Sequence, residues 1–231
     1  MKKKIILGVA AHPDDLDFIA SGTVAKWIKQ GAIGYYLICT NGCKGSDDPK
    51  MTEAKLIKIR RREQIQAGKI IGLKDVFFLN HNDTELVADL KLKKEIVYYI
   101  RKLRPEIVIT TDPTFVYSPY GFINHTDHRA AGQAAIDAVF PLSRDRLTFP
   151  EHEKQGLKPH KVKTLYLPNF DNSREIVDIS DSIDIKLQAL AAHKSQIDGA
   201  TLKWVRERSK QIGKKLGYDF AESFFKLNLI P

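Results

Sequence analysis

Cysteine is scarce in this chain. Its 231 residues hold two, Cys39 and Cys43, which is too few for a disulfide framework and lacks the second pair that a zinc ribbon needs. A reduced, cytoplasmic chain is the expectation. Long apolar runs are also missing, since none approaches the roughly 20 residues that span a bilayer. The first run, Ile5 to Ala11, is too short for a signal peptide and passes into His12-Pro13-Asp14-Asp15 instead of a small-residue cleavage site. Membrane insertion is not expected. The two familiar glycine-rich phosphate cradles are absent as well. Gly8-Val9-Ala10-Ala11-His12 lacks the G-x-G-x-x-G fingerprint, and Gly42-Cys43-Lys44-Gly45-Ser46 does not satisfy the Walker pattern. With no internal repeat, low-complexity stretch or clear linker, residues 1–231 read as one domain.

The remaining composition is that of a globular protein: 43% hydrophobic and 28% charged, which excludes a disordered chain. Lys and Arg number 37 against 28 Asp and Glu, a net charge of +9. Such a balance suits nucleic acid, phosphates or acidic substrates without choosing among them.

Short, often β-branched runs alternate with longer helical patterns. Strands are predicted at Ile5–Ala11, Tyr35–Cys39, Val76–Leu79, Glu106–Thr111 and Thr164–Leu167. Between them, Leu16, Ile19, Ala20, Val24, Trp27 and Ile28 fall on one helical stripe closed by Gly31. Further helices are expected at about Thr52–Ile71, Asp89–Leu103, Asp127–Phe140, Ile183–His193 and Ala200–Gly213. Strands spaced by helices imply an α/β fold, a Rossmann-like and mostly parallel sheet with helices on both faces. Ligands in such sheets bind beyond the carboxyl ends of the strands, where strand order reverses. With the common order 3-2-1-4-5, that point lies between strands one and four.

The two densest polar clusters follow those two strands: His12-Pro13-Asp14-Asp15 and His125-Thr126-Asp127-His128. One aspartate at a helix start reads as an N-cap, favoured by the helix dipole. A cap needs only one acid, however, and the first cluster adds a second acid, an imidazole and a stiffening proline. The second cluster sets two imidazoles three residues apart, so that both can face one way. Together the clusters offer the ligand types of a catalytic metal, two or more His and one Asp, with further acids to orient the histidines. The loop Thr40–Pro49 lies on the same rim and reads equally as a surface turn or a substrate-contacting loop.

At these clusters the sequence resembles the LmbE-like, or PIG-L-like, zinc-dependent N-acetylglucosamine deacetylase superfamily. The resemblance extends through Gly22-Thr23, Thr40-Asn41-Gly42, Gly45-Ser46, the Ile59-Arg60-Arg61-Arg62-Glu63 helix with Ala67 and Gly72, Asp83, and a C-terminal H-x-S-Q in Ala192-His193-Lys194-Ser195-Gln196. It implies that His12, Asp15 and His128 ligate Zn²⁺ or another divalent ion such as Fe²⁺. Asp14 would be the general base, His125 the stabiliser of the oxyanion, and Asp127 a residue orienting a histidine. Arg60 and Asp83 would hold sugar or aglycone groups. Read from the residues alone, Arg60 is one charge in a solvated basic run, Asp83 a turn residue, and His193 a group that binds the last carbonyls of a helix. The sequence departs from the family pattern where Leu16 and Asp17 follow the aspartate pair, where Thr126 replaces a proline, and where Tyr120–Asn124 holds no acid.

The resemblance implies a hydrolase that takes acetyl from a small amino sugar or glycoconjugate, and relatives that form symmetric oligomers extend the expectation to a homo-oligomer. Two other readings compete. The same two-His-one-carboxylate set describes non-haem Fe(II) oxygenases, which would leave Asp14 without a task. Alternatively, Lys2–Lys4, Arg60–Arg62, Lys91, Lys93, Lys94 and Lys203–Lys215 would form the phosphate-tracking face of a nucleic-acid-binding module. No stacking motif accompanies these scattered residues, so nucleic acid is not the expected partner.

Overall fold

The computed structural model describes residues 3–118, 121–168, 175–214 and 216–230. Strand β1 (Ile5–Ala10) leads through α1 (Asp15–Ile19) and α2 (Ser21–Lys29) to β2 (Ile33–Thr40). Helix α3 (Glu53–Ile71), β3 (Asp75–His81), α4 (Leu90–Leu103) and β4 (Ile107–Thr110) continue the alternation. Helix α5 (Thr126–Asp137), a π-helical turn at Ala138–Leu142 and the short α6 (Pro150–Lys154) precede β5 (Thr164–Pro168). The chain ends with β6 (Glu175–Asp178), α7 (Ile183–Ala191), α8 (Gly199–Lys214) and β7 (Ala221–Asn228).

The seven strands form one sheet in the order β3-β2-β1-β4-β5-β7-β6. Strands β1 to β5 pair in parallel, and Ile6 lies between Gly34 of β2 and Ile107 of β4. The switch point falls between β1 and β4, where the parallel pattern predicts it. Alternation along the strands feeds two cores. Leu7 and Val9 pack with Ile96, Ile100 and Ala134 on one face, while Ile6 and Ala10 join Leu16, Val24 and Ala67 on the other. Local chemistry sets the helix ends: Thr52 and Asp89 accept from Lys55 N and Leu92 N at 3.3 and 2.8 Å, and Gly72 closes α3 in the left-handed region at φ 88°.

Three sequence expectations change here. The stripe from Leu16 to Ile28 is two helices, broken at Ala20 (φ −147°, ψ −1°). A buried ion pair fills the break. Lys186 Nζ donates to Asp17 O and Phe18 O at 3.1 and 2.5 Å and meets Glu222 Oε1 at 2.6 Å. The Glu222 carboxylate accepts the Gly22 and Thr23 amides at 3.1 and 2.8 Å. The carbonyl end of one helix and the amide start of the next are thus both satisfied by residues far along the chain. The second change is the sheet edge. Strand β7 runs antiparallel to β5 and β6, and the sequence reading contained neither β6 nor β7. Strand β6 is a four-residue edge strand, and the longer β7 inside it interrupts its apolar residues with Glu222, Ser223 and Lys226, the last meeting Glu175 at 3.1 Å, so neither shows the continuous apolar run of a buried parallel strand. Helix α5 also ends earlier than predicted, at Asp137, where the π-helical turn takes over.

Candidate active site

The carboxyl ends of β1, β2, β3 and β4 surround a cavity of about 380 Å³ lined by His12, Asp14, Asp15, Arg60, Asp83, His125 and His128. A second cavity of about 380 Å³, which Trp27, Tyr166 and Asp178 help to line, carries none of these groups. Chemistry therefore distinguishes the first cavity, not size.

The strand-to-helix turn aims its two aspartates differently. Asp15 Oδ2 curls back to accept the His12 amide at 2.8 Å, and Asp15 Oδ1 lies 3.1 Å from His128 Nε2. Asp14 sits at φ 98°, an uncommon backbone for a side-chain-bearing residue, and its carboxylate lies 3.3 Å from Arg60 Nη2. Neither acid serves as a helix cap: Asp14 holds the N-cap position of α1 without a side-chain cap bond.

Imidazole tautomers follow from the partners. His12 Nε2 faces Asp83 Oδ1 at 3.0 Å and Asp127 Oδ2 at 3.3 Å, so it donates and leaves the Nδ1 lone pair free. His128 Nδ1 donates to Asn124 Oδ1 at 3.0 Å, which leaves its Nε2 free. The two free nitrogens face one another at 3.2 Å beside the Asp15 carboxylate. Three mutually facing acceptors from His12, Asp15 and His128, all within 4.8 Å of each other, are a donor set that suits a divalent cation. His12, His125 and Asp127 form a second such grouping, so His12 belongs to both. Carboxylate partners raise the basicity of His12 and His128. Burial disfavours charge on His12, yet hydrogen bonds to Asp127, Asp15 and Asp83 outweigh it and push the imidazole up to about 12. His128 is likewise raised, burial being outweighed by Asp15. A cation must displace these protons to bind.

The other groups are tuned separately. Burial raises the Asp14 carboxyl to about 6 against the opposing charge of Arg60. Asp15 is held well below the ordinary carboxylate range, because His128 and His12 overcome its burial. Burial and the neighbouring His12 lower His125 and favour its neutral form. His125 Nδ1 accepts the Asp127 amide at 3.1 Å, so the neutral ring carries its proton on Nε2. Asp127 therefore orients two histidines by different means. Its N–H holds His125, while its carboxylate sits behind His12 and accepts the Thr84 and Leu86 amides at 2.7 and 3.3 Å.

Arg60 and Asp83 both line the cavity, and each is also committed to protein. Arg60 is 4% exposed, which contradicts a place on a solvated helix face. Helix α3 turns its guanidinium inward to Gly42 O and Pro13 O at 3.0 and 2.8 Å, and Gly42 (φ 66°) brings its backbone close to that group. Asp83 Oδ2 accepts Lys44 N at 3.1 Å, which docks the Thr40–Pro49 loop on the site. His193 does not bind helix carbonyls through its ring; it is fully buried, with Nε2 2.8 Å from Asp17 Oδ2. Ser195 and Gln196 fix the same corner by donating to Glu63 and to Gly45 O. Within the basic runs, Lys93 pairs with Asp137 at 2.9 Å, Lys94 pairs with Glu151, and Arg61 covers the Phe78 ring. Lys2 and Lys215, named in those runs, and Tyr120 lie outside the described residues.

Sequence reasoning missed Asn124 and Gln64. Gln64 left a signal in spacing, since it follows Arg60 by four on α3, the separation that places side chains on one helical face, whereas Asn124 stands just before the N-cap of α5 and left none. Asp17 was visible only as a departure from the family pattern.

Known proteins resemble this chain in sequence and in fold. Diacetylchitobiose deacetylase of Thermococcus kodakarensis is 32% identical over 227 residues, covering 95% of this chain and 81% of that protein. A probable N-acetyl-α-D-glucosaminyl L-malate deacetylase 2 of Bacillus anthracis is 28% identical, covering 83% and 80%. The solved structure of N,N′-diacetylchitobiose deacetylase from Pyrococcus horikoshii, complexed with its inhibitor, superposes with a TM-score of 0.89 at 29% identity, covering 97% of this chain and 84% of that one. Relatives that are deacetylases by name favour neither the oxygenase nor the nucleic-acid reading. Among the described residues, no helix is long and apolar enough to cross a membrane. The GlcNAc-PI de-N-acetylase (PIG-L) family matches residues 7–139, which include every residue named above as lining the site cavity, and this chain belongs to that family.

Proposed function

We propose that residues 1–231 act as one domain, a zinc-dependent hydrolase that removes acetyl from an N-acetylglucosamine-containing small molecule or glycoconjugate. The observation that carries the reading is the three-acceptor set of His12, Asp15 and His128 opening on the same cavity as Asp14 and His125. When bound there, a zinc ion supplies Lewis-acid chemistry, polarising an acyl oxygen and making a water acidic enough to lose its proton near neutral pH.

The chain's own residues do the rest. Asp14, ionised above about pH 6 and turned away from Asp15, accepts the proton of the attacking water and returns it to the leaving amine. Neutral His125 presents its Nε2–H to the oxyanion as the carbonyl becomes tetrahedral. Asp127 holds both His125 and His12 in the required tautomers, and Asn124 does the same for His128. Arg60 and Asp83 take sugar or aglycone groups at the cavity wall. Cys39 and Cys43, both free and buried, suit a reducing compartment, and we assign the enzyme to the cytoplasm on that ground.

The test is an amine-release screen of N-acetylglucosamine conjugates with the zinc-loaded protein. Stoichiometric amine and acetate from at least one conjugate, abolished by chelation, is the expected result. Amine release that survives complete removal of metal would overturn the metal-dependent assignment.

A further inference from the structure

The turn that carries Asp14 is held from behind by a chain of buried polar groups that never reaches the cavity. Asp14 occupies φ 98°, a conformation uncommon for a non-glycine residue that persists only where its surroundings over-determine it. Its carbonyl is fixed locally by the Asp17 and Phe18 amides at 2.8 and 3.1 Å. Its N–H has one partner, Gln64 Oε1, at 2.8 Å. An N–H can only donate, so the Gln64 amide must present its oxygen to Asp14 and its NH₂ to the opposite side. There the NH₂ meets Asp17 Oδ2 at 3.0 Å, and the same oxygen accepts His193 Nε2–H at 2.8 Å. Gln64, Asp17 and His193 all show no exposure, so water cannot replace a lost partner without repacking. Each bond in the chain therefore fixes the direction of the next.

We infer that His193, acting through Asp17 and Gln64, is a positioning residue for Asp14, so that the C-terminal region sets the geometry of the base. The inference rests on the proposed role of Asp14. Without the imidazole, Asp17 Oδ2 loses one of its two side-chain donors, and the acceptor that anchors the Gln64 NH₂ is no longer pinned in place. A Gln64 displaced with Asp17 would loosen its bond to Asp14 N and release the strained turn. A small displacement of a reacting group from productive geometry is enough to cost about 10²-fold in rate.

The experiment compares His193→Ala, His193→Gln and Gln64→Leu in the zinc-loaded enzyme, using the best conjugate from the amine-release screen. His193→Ala and Gln64→Leu should lower kcat by up to about 10²-fold, with KM and zinc stoichiometry unchanged. His193→Gln, which keeps an N–H donor for Asp17, should recover most of the loss. Exchange of the Asp14 amide, followed by NMR in the metal-free protein, should be faster in His193→Ala and slow again in His193→Gln. In an Asp14→Asn background the two disruptive variants should add no further loss. Wild-type kcat in folded His193→Ala and Gln64→Leu would overturn the inference, as would an undiminished effect in the Asp14→Asn background. If Asp14→Asn alone turns over normally, the base assignment fails instead, and the amide-exchange result decides whether the turn is positioned from His193.

Discussion

The named groups that line the site cavity lie between His12 and His128, whereas the last third of the chain supplies groups that brace them from behind. The two regions use polar side chains in opposite ways. In the first, His12, Asp15 and His128 bring ligand atoms within 4.8 Å of one another, an arrangement that holds protons until a cation displaces them. In the second, Lys186, Glu222 and His193 are paired inward, against helix ends and Asp17. One region holds its polarity ready for a ligand; the other uses it to fix backbone. Losses in the first should therefore appear as lost metal or rate, and losses in the second as lost stability or misplaced geometry.

The largest expected effect tests the first region. His128→Ala should lose most bound zinc and essentially all hydrolysis, measured by metal analysis and amine release. Full occupancy in that variant would remove His128 from the ligand set. Next, Asp14→Asn keeps shape and an acceptor oxygen but cannot take a proton, so kcat should fall by about 10²–10⁴-fold with zinc retained. Near-normal turnover at confirmed zinc content would show that another group activates the water.

The second region should respond differently. Lys186→Met leaves the Glu222 carboxylate buried without its cation, and breaking such pairs costs about 3–5 kcal/mol. Urea denaturation should register that loss, while zinc affinity of the folded protein stays at the wild-type level. A large fall in zinc affinity without a stability change would erase the distinction between the regions. Asn124 sharpens the comparison from the ligand side. Asn124→Leu removes the acceptor that fixes His128 and should weaken zinc binding by about 10–100-fold, whereas Asn124→Asp keeps an acceptor there and should bind nearly normally. Equal affinities for the two variants would show that His128 needs no such partner.

The smallest effect is on pH dependence. In the proposed mechanism Asp14 works as the carboxylate, so kcat/KM should rise with pH through its ionisation. Burial sets that ionisation high and the Arg60 guanidinium opposes it. Arg60→Ala should therefore move the acid limb to higher pH, and an unmoved limb would assign it to a different group.

Periodicity and caps made the parallel part of this protein legible. Strands β1 to β4, the switch point and helices α3 and α4 follow from apolar runs, Thr52, Asp89 and Gly72, because those features act over a few residues. The two polar clusters were visible for the same reason, as dense groups at predicted strand ends. Directions were not. Adjacent residues at a turn diverge, but φ 98° at Asp14 comes with a bond to Gln64 from another element, and the inward turn of Arg60 depends on where α3 packs.

What the sequence by itself determined is the alternation of elements, the rim on which chemistry gathers, and a cluster of histidines and acids suited to a metal. What only the tertiary structure decided is each group's state. His12 is a strong base because Asp83 and Asp127 arrive behind it from other elements, and His125 carries its proton on Nε2 because the Asp127 amide occupies the other nitrogen. The break between α1 and α2, read from sequence as one helix, likewise waits on Lys186 and Glu222 from the far end of the chain. Residue type and short-range pattern are written locally. Burial, tautomer and charge state depend on neighbours that only folding brings within a few ångströms.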